Sequence, residues 1–189
     1  MSIRIAVGCL LLWISSNAFA TNFVVEGGLH FGGDRMLEVV FTSGSTEELR
    51  AGELISFGLG AGFTLSEAWQ SRLTFGIKID EISATNGYLS FARYPLDLVF
   101  IYQQGQWGFG GGLTYHLNPS LDATGIATDY KADFDNALGL LGEIDWFFSG
   151  SAYLGLRFTA IDYQSVPTAT SAAEKVNGNS IGIMLGASF

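Results

Sequence analysis

A period of two runs along most of this chain and restricts what it can fold into. Ile55, Phe57, Leu59, Ala61 and Phe63 alternate with Ser56, Gly58, Gly60 and Gly62. Successive side chains on a β-strand point to opposite sides, so a repeat of two marks a strand with two chemically distinct faces. The same pattern fills Phe23 to Phe31, Leu73 to Ile79, Trp107 to Tyr115, Leu138 to Trp146, Leu154 to Phe158 and Ile181 to Phe189. Between Tyr94 and Tyr102 the apolar run is broken only by Asp97 and Pro95. Tyr94, Leu96, Leu98, Phe100 and Tyr102 are assigned to one face, and Pro95 to the loop end, where no ladder donor is missed. The total is about eight strands, each near the ~9–11 residues that a tilted membrane strand needs.

The predicted connections alternate in length. Short ones fall at Thr64 to Ala68, Gln103 to Gln106 and Phe147 to Ser151. Long ones fall at Gly33 to Gly52, Ser83 to Arg93, Asn118 to Asp133 and Gln164 to Gly178. The long ones carry turn-forming clusters such as Asn118-Pro119-Ser120 and Asn177-Gly178-Asn179. Short turns on one side and long loops on the other are the asymmetry of outer-membrane barrels.

Alternation alone does not say which face is wet, because a soluble barrel with an apolar lumen shows it too. Three features favour an apolar exterior. The apolar face carries roughly four or five residues on each strand, many of them Phe, Leu, Ile and Trp, which fit poorly inside a barrel of about eight strands. The other face is rich in glycine with sparse charges, which leaves room for long side chains in a narrow lumen. The aromatics Phe23, Phe63, Trp69, Tyr102, Trp107, Trp146 and Phe189 cluster at the short-turn ends of the apolar face, as rings do at a headgroup boundary.

Residues 1–20 read as a cleaved signal peptide, with a basic Arg4, an apolar stretch from Ile5 to Ile14 and an Ala18-Phe19-Ala20 cleavage site. The single cysteine, Cys9, leaves with it, so no disulfide is expected in residues 21–189, the barrel domain. No later segment is apolar and long enough for a membrane helix, which does not exclude a barrel. The net charge of -9 argues against a nucleic-acid partner.

The stretch from residue 21 onward resembles the small eight-stranded outer-membrane barrels, the class of the OmpA membrane domain and OmpX. The residues that carry the resemblance are Ile181, Ile183, Leu185, Ala187 and the terminal Phe189. It implies an all-β, antiparallel, up-and-down transmembrane β-barrel in a Gram-negative outer membrane, surrounded by lipid and lipopolysaccharide. It also implies that the closing segment is read by the barrel-assembly machinery. A monomer is expected.

Parity turns Glu26, Arg72, Lys78, Asp80, Asp97, Glu143, Asp145 and Arg157 inward. Pairing Trp146 with Leu154 across a short turn sets Glu143 opposite Arg157. Glu26, Arg72, Asp97, Glu143 and Arg157 are expected to share one layer as a lumen ionic network that plugs the barrel. A non-enzymatic envelope-structural or surface-interaction role follows, exercised through four long loops. The alternatives are a narrow pore and a lipid A-modifying enzyme. For the latter His116, with Ser120 and Asp122 close by, is the candidate, although its parity points inward, away from lipid. No metal-ligand spacing and no cofactor motif are found.

Overall fold

The computed structural model describes residues 21–40, 46–84, 87–125, 130–167 and 173–189. The expected signal peptide, residues 1–20, lies outside the described residues. In chain order the strands are β1 (Thr21–Gly32), β2 (Arg35–Val40), β3 (Thr46–Arg50), β4 (Leu54–Thr64), β5 (Trp69–Ala84), β6 (Gly87–Gln104) and β7 (Trp107–Thr124). They continue with β8 (Tyr130–Asp133), β9 (Ala137–Phe147), β10 (Ala152–Ala160), β11 (Asp162–Gln164), β12 (Lys175–Asn177) and β13 (Ser180–Ser188).

Eight of these close into an antiparallel barrel in the order β1, β4, β5, β6, β7, β9, β10, β13, with β13 returning to β1. Closure leaves no edge strand in the ring, the condition for crossing hydrocarbon with strands. Phe189 does not fray: its N–H donates to the Phe23 carbonyl at 2.9 Å, and Phe23 N–H returns the bond at 3.0 Å.

The apolar face is outside. Phe57, Leu73, Leu140 and Ile183 point away from the barrel, with 49%, 40%, 62% and 49% of their surfaces exposed. On the inside the wall is drawn tight at glycine. A Cβ at Gly60 or Gly112 would sit 2.0 or 1.9 Å from the carbonyl oxygen of Leu73 or Leu98 on the neighbouring strand, so no other residue fits there without moving backbone.

Two of the expected long loops are largely strand. β5, β6 and β7 are 16, 18 and 18 residues long and continue well beyond the apolar band. Ser83 to Arg93 becomes a hairpin, with residues 85–86 outside the described residues, and Asn118 to Thr124 extends β7. Their alternation persists with its polarity reversed: Glu81, Ser83 and Ser90 lie on the outer face, whereas Ile82, Leu89 and Phe91 face inward and are buried. Pro95 lies inside β6 rather than at its loop end. It is tolerated because the β5 ladder passes from Leu96 to Arg93 without pairing it.

A β-bulge in β7 makes the reversal possible on that strand. Leu117 pairs with Tyr94 and Ser120 with Ala92, so Asn118 and Pro119 together oppose Arg93. Asn118 takes a φ of 45°, which asparagine tolerates. The extra residue changes parity, so the inner face reads Thr114, His116, then Pro119 and Leu121.

Above the band, β2 pairs with β3, β11 pairs with β12, and β8 adds to the outer half of β7. These pieces cover a second core made of Leu49, Ala51, Ile82, Leu89, Phe91, Leu121, Phe134, Ala137, Ile161 and Tyr163. Phe91 meets the rings of Phe134 and Tyr163 edge-on at 5.6 and 5.5 Å. The long-loop end of the barrel is therefore closed by an apolar dome.

Candidate functional site in the barrel lumen

The inner face of the membrane section gathers a cluster of buried ionisable side chains. Glu26 (β1), Arg72 (β5), Asp97 (β6), Glu143 and Asp145 (β9) and Arg157 (β10) are all buried on it. Arg157 reaches three carboxylates on three different strands. Its Nη2 donates to Glu26 at 2.9 Å, its Nη1 to Asp97 at 3.0 Å and its Nε to Glu143. Arg72 approaches from the opposite wall, donating from Nη2 to Glu143 and, at 3.1 Å, to Asp145. Glu143 therefore bridges the two guanidinium groups. It faces Arg157 directly in the β9–β10 ladder, with Trp146 paired to Leu154 three residues away.

Hydroxyl groups complete the shell. Tyr153 donates to Glu26 at 2.8 Å, Thr74 to Glu26 at 3.2 Å and Thr114 to Asp97 at 2.5 Å. The Arg72 guanidinium lies 4.2 Å from the centre of the Tyr153 ring, within cation–π range. The charges are paired, as buried charge requires, while Arg72 Nε and Nη1 and Asp145 Oδ1 have no hydrogen-bond partner among the described residues. Every member is gripped by at least one partner across the lumen or on the next strand.

Glycine gives the long side chains their room, and in each case it comes from the adjacent strand. Tyr153 lies over Gly186, its direct partner in the β10–β13 ladder, where a Cβ would come within 2.3 Å of the ring. Asp145 lies over Gly155 in the same way, and His30 over Gly182. The glycines of the inner face thus act as seats for cross-strand neighbours.

Farther toward the long loops the inner face is cationic. Lys78 and Arg93 are ladder partners, both buried. Lys78 donates to the Ser180 hydroxyl at 3.2 Å. Arg93 donates to the carbonyls of Phe91 and Glu53, each at 3.1 Å. His30 lies 2.7 Å from the Ser56 hydroxyl and His116 Nδ1 lies 2.6 Å from the Tyr163 hydroxyl. Burial pushes the Tyr163 phenol, which sits in the dome, up to about 12, so it keeps its proton. His116 is buried inside the barrel, while Ser120 and Asp122 belong to the strand beyond the bulge.

Toward the short turns the inner face turns apolar again. Val24 precedes Glu26 on β1, and Val99 and Ile101 follow Asp97 on β6, all buried. A cavity of about 30 Å³ remains near that end, lined by Asn22, Gln70, Arg72 and Tyr153 among others, enough for a water or two.

The remaining sequence-predicted residues lie on the outside. Ile181, Ile183, Leu185 and Ala187 form the outer face of β13, and Phe189 bonds to Phe23 beside it. Trp69 pairs with Tyr102 and Trp107 with Trp146 at the short-turn ends. Phe23 and Phe63 lie on the flanking β1 and β4. Pattern reading missed Arg93, Tyr153, Thr74 and Thr114. Tyr153 shares the parity of Arg157, which is the signal that could have found it. Arg93 sat in a segment read as loop.

No protein-family model matches the chain, and no curated protein matches it in sequence. Solved structures do match. Neisserial surface protein A aligns with a TM-score of 0.52 and 10% identity over 92% of this chain and 100% of its own. AlkL, solved in DMPC bilayers, gives 0.45 and 11% over 89% of this chain and 90% of its own. OprG from Pseudomonas aeruginosa gives 0.44 and 16% over 90% and 97%. At such identities the likeness is one of fold. The closed ring of eight strands, its exposed apolar band and that likeness agree: the chain is a membrane β-barrel with the fold of the small eight-stranded outer-membrane barrel proteins.

Proposed function

We propose that this protein is a non-enzymatic, integral outer-membrane barrel that serves the cell envelope structurally or through contacts of its loop end, and that its lumen is plugged. The carrying observation is the filled interior. A cross-lumen set of ion pairs lies between apolar side chains toward the short turns and a packed dome toward the long loops. Barrels of eight strands are just wide enough for side chains to fill, which supports a plugged lumen here.

In this reading the short turns face the periplasm and the dome faces outward, as in bacterial barrels of this architecture. Trp69, Tyr102, Trp107 and Trp146 mark the inner headgroup boundary. The strand ending at Phe189 serves as the assembly signal, and lipid and lipopolysaccharide surround a monomer. Burial of His116 beside Tyr163, away from the lipid-facing surface, supports a non-enzymatic role over lipid A modification.

Planar-bilayer recordings of the refolded protein test the plug: a flat baseline is expected, and stable unitary steps would reject it. Protease added to intact cells should cut near Glu48 or Lys131, both on the exposed loop end. Lipid A mass spectra should be the same with and without the gene. Loss of an acyl chain that depends on His116 would replace this reading with the enzymatic one.

A further inference from the structure

We infer that the outer wall of the barrel holds an acyl chain of one glycerophospholipid in a groove along the seam where β13 meets β1. The groove has a volume of about 780 Å³ and lies in the apolar band. Its floor crosses three strands on small side chains. Ala152, Ala187 and Val25 are successive ladder partners on β10, β13 and β1, and Gly27 lies two residues farther along β1. Gly27 is paired with Phe57 on one side and Leu185 on the other, and these two large exposed side chains form the walls. Leu29, between Ile55 and Ile183, ends the groove toward the dome, and Phe148 and Phe189 stand at its mouth.

Nothing in the fold itself calls for glycine at position 27. Both ladders run through it without a shift, and it is not one of the glycines with positive φ. On the inner face glycine makes way for a neighbour: a Cβ at Gly60 or Gly186 would come within 2.0 or 2.3 Å of one. A Cβ at Gly27 would meet only the Ser56 carbonyl oxygen at 3.6 Å, an ordinary contact. Glycine inside a strand weakens it, and where no bulge or crowding accounts for it, it marks a place that a ligand or another chain approaches closely. The outward side chains of the groove carry no hydrogen-bonding group, so it lacks the polar contacts that join protein segments in a bilayer. The walls stand on the strands flanking β1, about 4.8 Å to either side. That gap admits one alkyl chain and is too narrow for the side-chain-bearing face of a second barrel. The groove is continuous with the lipid-facing band, and fixed walls give a chain dispersion contacts that mobile neighbours do not. Its mouth lies at the short-turn end, level with Trp146, whose ring is 5.8 Å from that of Phe148. In the orientation proposed above, on which this step rests, that end meets the periplasmic leaflet, so the chain belongs to a phospholipid and not to lipopolysaccharide.

Native mass spectrometry of the folded protein in a neutral detergent, titrated with palmitoyl-oleoyl phosphatidylglycerol, tests this. The first phospholipid should bind about tenfold more tightly than the second. Gly27→Leu, which fills the notch, should bind the first no more tightly than the second. Phe57→Ala, which removes a wall, should weaken the same step. Gly111→Leu, at another lipid-facing glycine on the opposite side of the ring, should leave it unchanged. Equal first and second affinities in the wild type, a tight first lipid that persists in both Gly27→Leu and Phe57→Ala, or its loss in Gly111→Leu would each overturn the groove. A dimer that Gly27→Leu dissociates would do so too, by seating a second copy there. Tighter binding of lipid A than of phospholipid would overturn the leaflet and the orientation with it, whereas no tight lipid of either kind would overturn the groove alone.

Discussion

A single strand, β5, runs through two environments and inverts between them. Between Trp69 and Asp80 its outer face is apolar and its inner face carries Arg72, Thr74, Lys78 and Asp80. Beyond Asp80 its outer face carries Glu81 and Ser83, while Ile82 turns in and is buried. β6 does the same, with Leu96, Leu98 and Phe100 outside in the band and Leu89 and Phe91 inside in the dome. Each strand runs on as a single element through both environments, so strand geometry is not what differs. The surroundings differ: hydrocarbon outside the band drives polar groups inward, and water outside the dome drives apolar groups inward. Behind the middle of the greasy band the interior is an ionic network, and behind the wet surface above it the interior is an oily core.

The largest expected effect lies in the ionic half. Arg157→Ala leaves Glu26, Asp97 and Glu143 without their shared partner and should cost about 3–5 kcal/mol in urea unfolding from lipid vesicles. Thr159→Ala, on the same face of the same strand, should cost well under half of that. Equal and small costs would mean that the network contributes nothing.

The outer face gives the sharpest contrast. Leu140→Arg in the band should cost about 2–4 kcal/mol, because the charge enters hydrocarbon. Glu81→Arg on the same kind of face above the band should stay within about 0.5 kcal/mol. Similar costs at the two positions would erase the boundary drawn here between them.

Packing in the lumen should matter less than charge but still be measurable. Gly186→Ala would place a Cβ 2.3 Å from the Tyr153 ring and should cost about 1–3 kcal/mol. Combining it with Tyr153→Ala should recover most of that packing cost in a double-mutant cycle.

The smallest effect concerns pH at the loop end. Hydrogen bonding from Arg50, then from Arg35, holds the Glu48 carboxyl below its usual range on the exposed hairpin. A depressed carboxyl stabilises above its unfolded pKa, about 4.3, and that contribution is lost as pH falls through the folded value. A spin label at Glu47→Cys should gain slight mobility on acidification through that window, less so at high salt. Glu48→Gln should abolish the pH dependence.

The band was legible because its code is local and redundant. Ile55 to Phe63 or Ile181 to Phe189 states its two faces without reference to the rest of the chain, and the short turn between Trp146 and Leu154 fixes the Glu143–Arg157 register by counting. The dome was not legible. Leu49 lies in a segment that reads as loop, and Phe134 and Tyr163 fall just outside the periodic runs, so nothing local marks them as inward. Parity counted on from Tyr115 would also mislead, because one extra residue at Asn118 turns Leu121 from the outer face to the inner.

By itself the sequence determined which residues share a face on each barrel strand, because that depends only on the two-residue pleat. Tertiary structure decided which of those residues meet. Arg157 touches Glu26, 131 residues away, and Arg93 reaches Glu53 only because closure and strand stagger bring those positions together. Pairing across a closed sheet depends on register and shear summed around the whole ring, and no local stretch of chain encodes that sum.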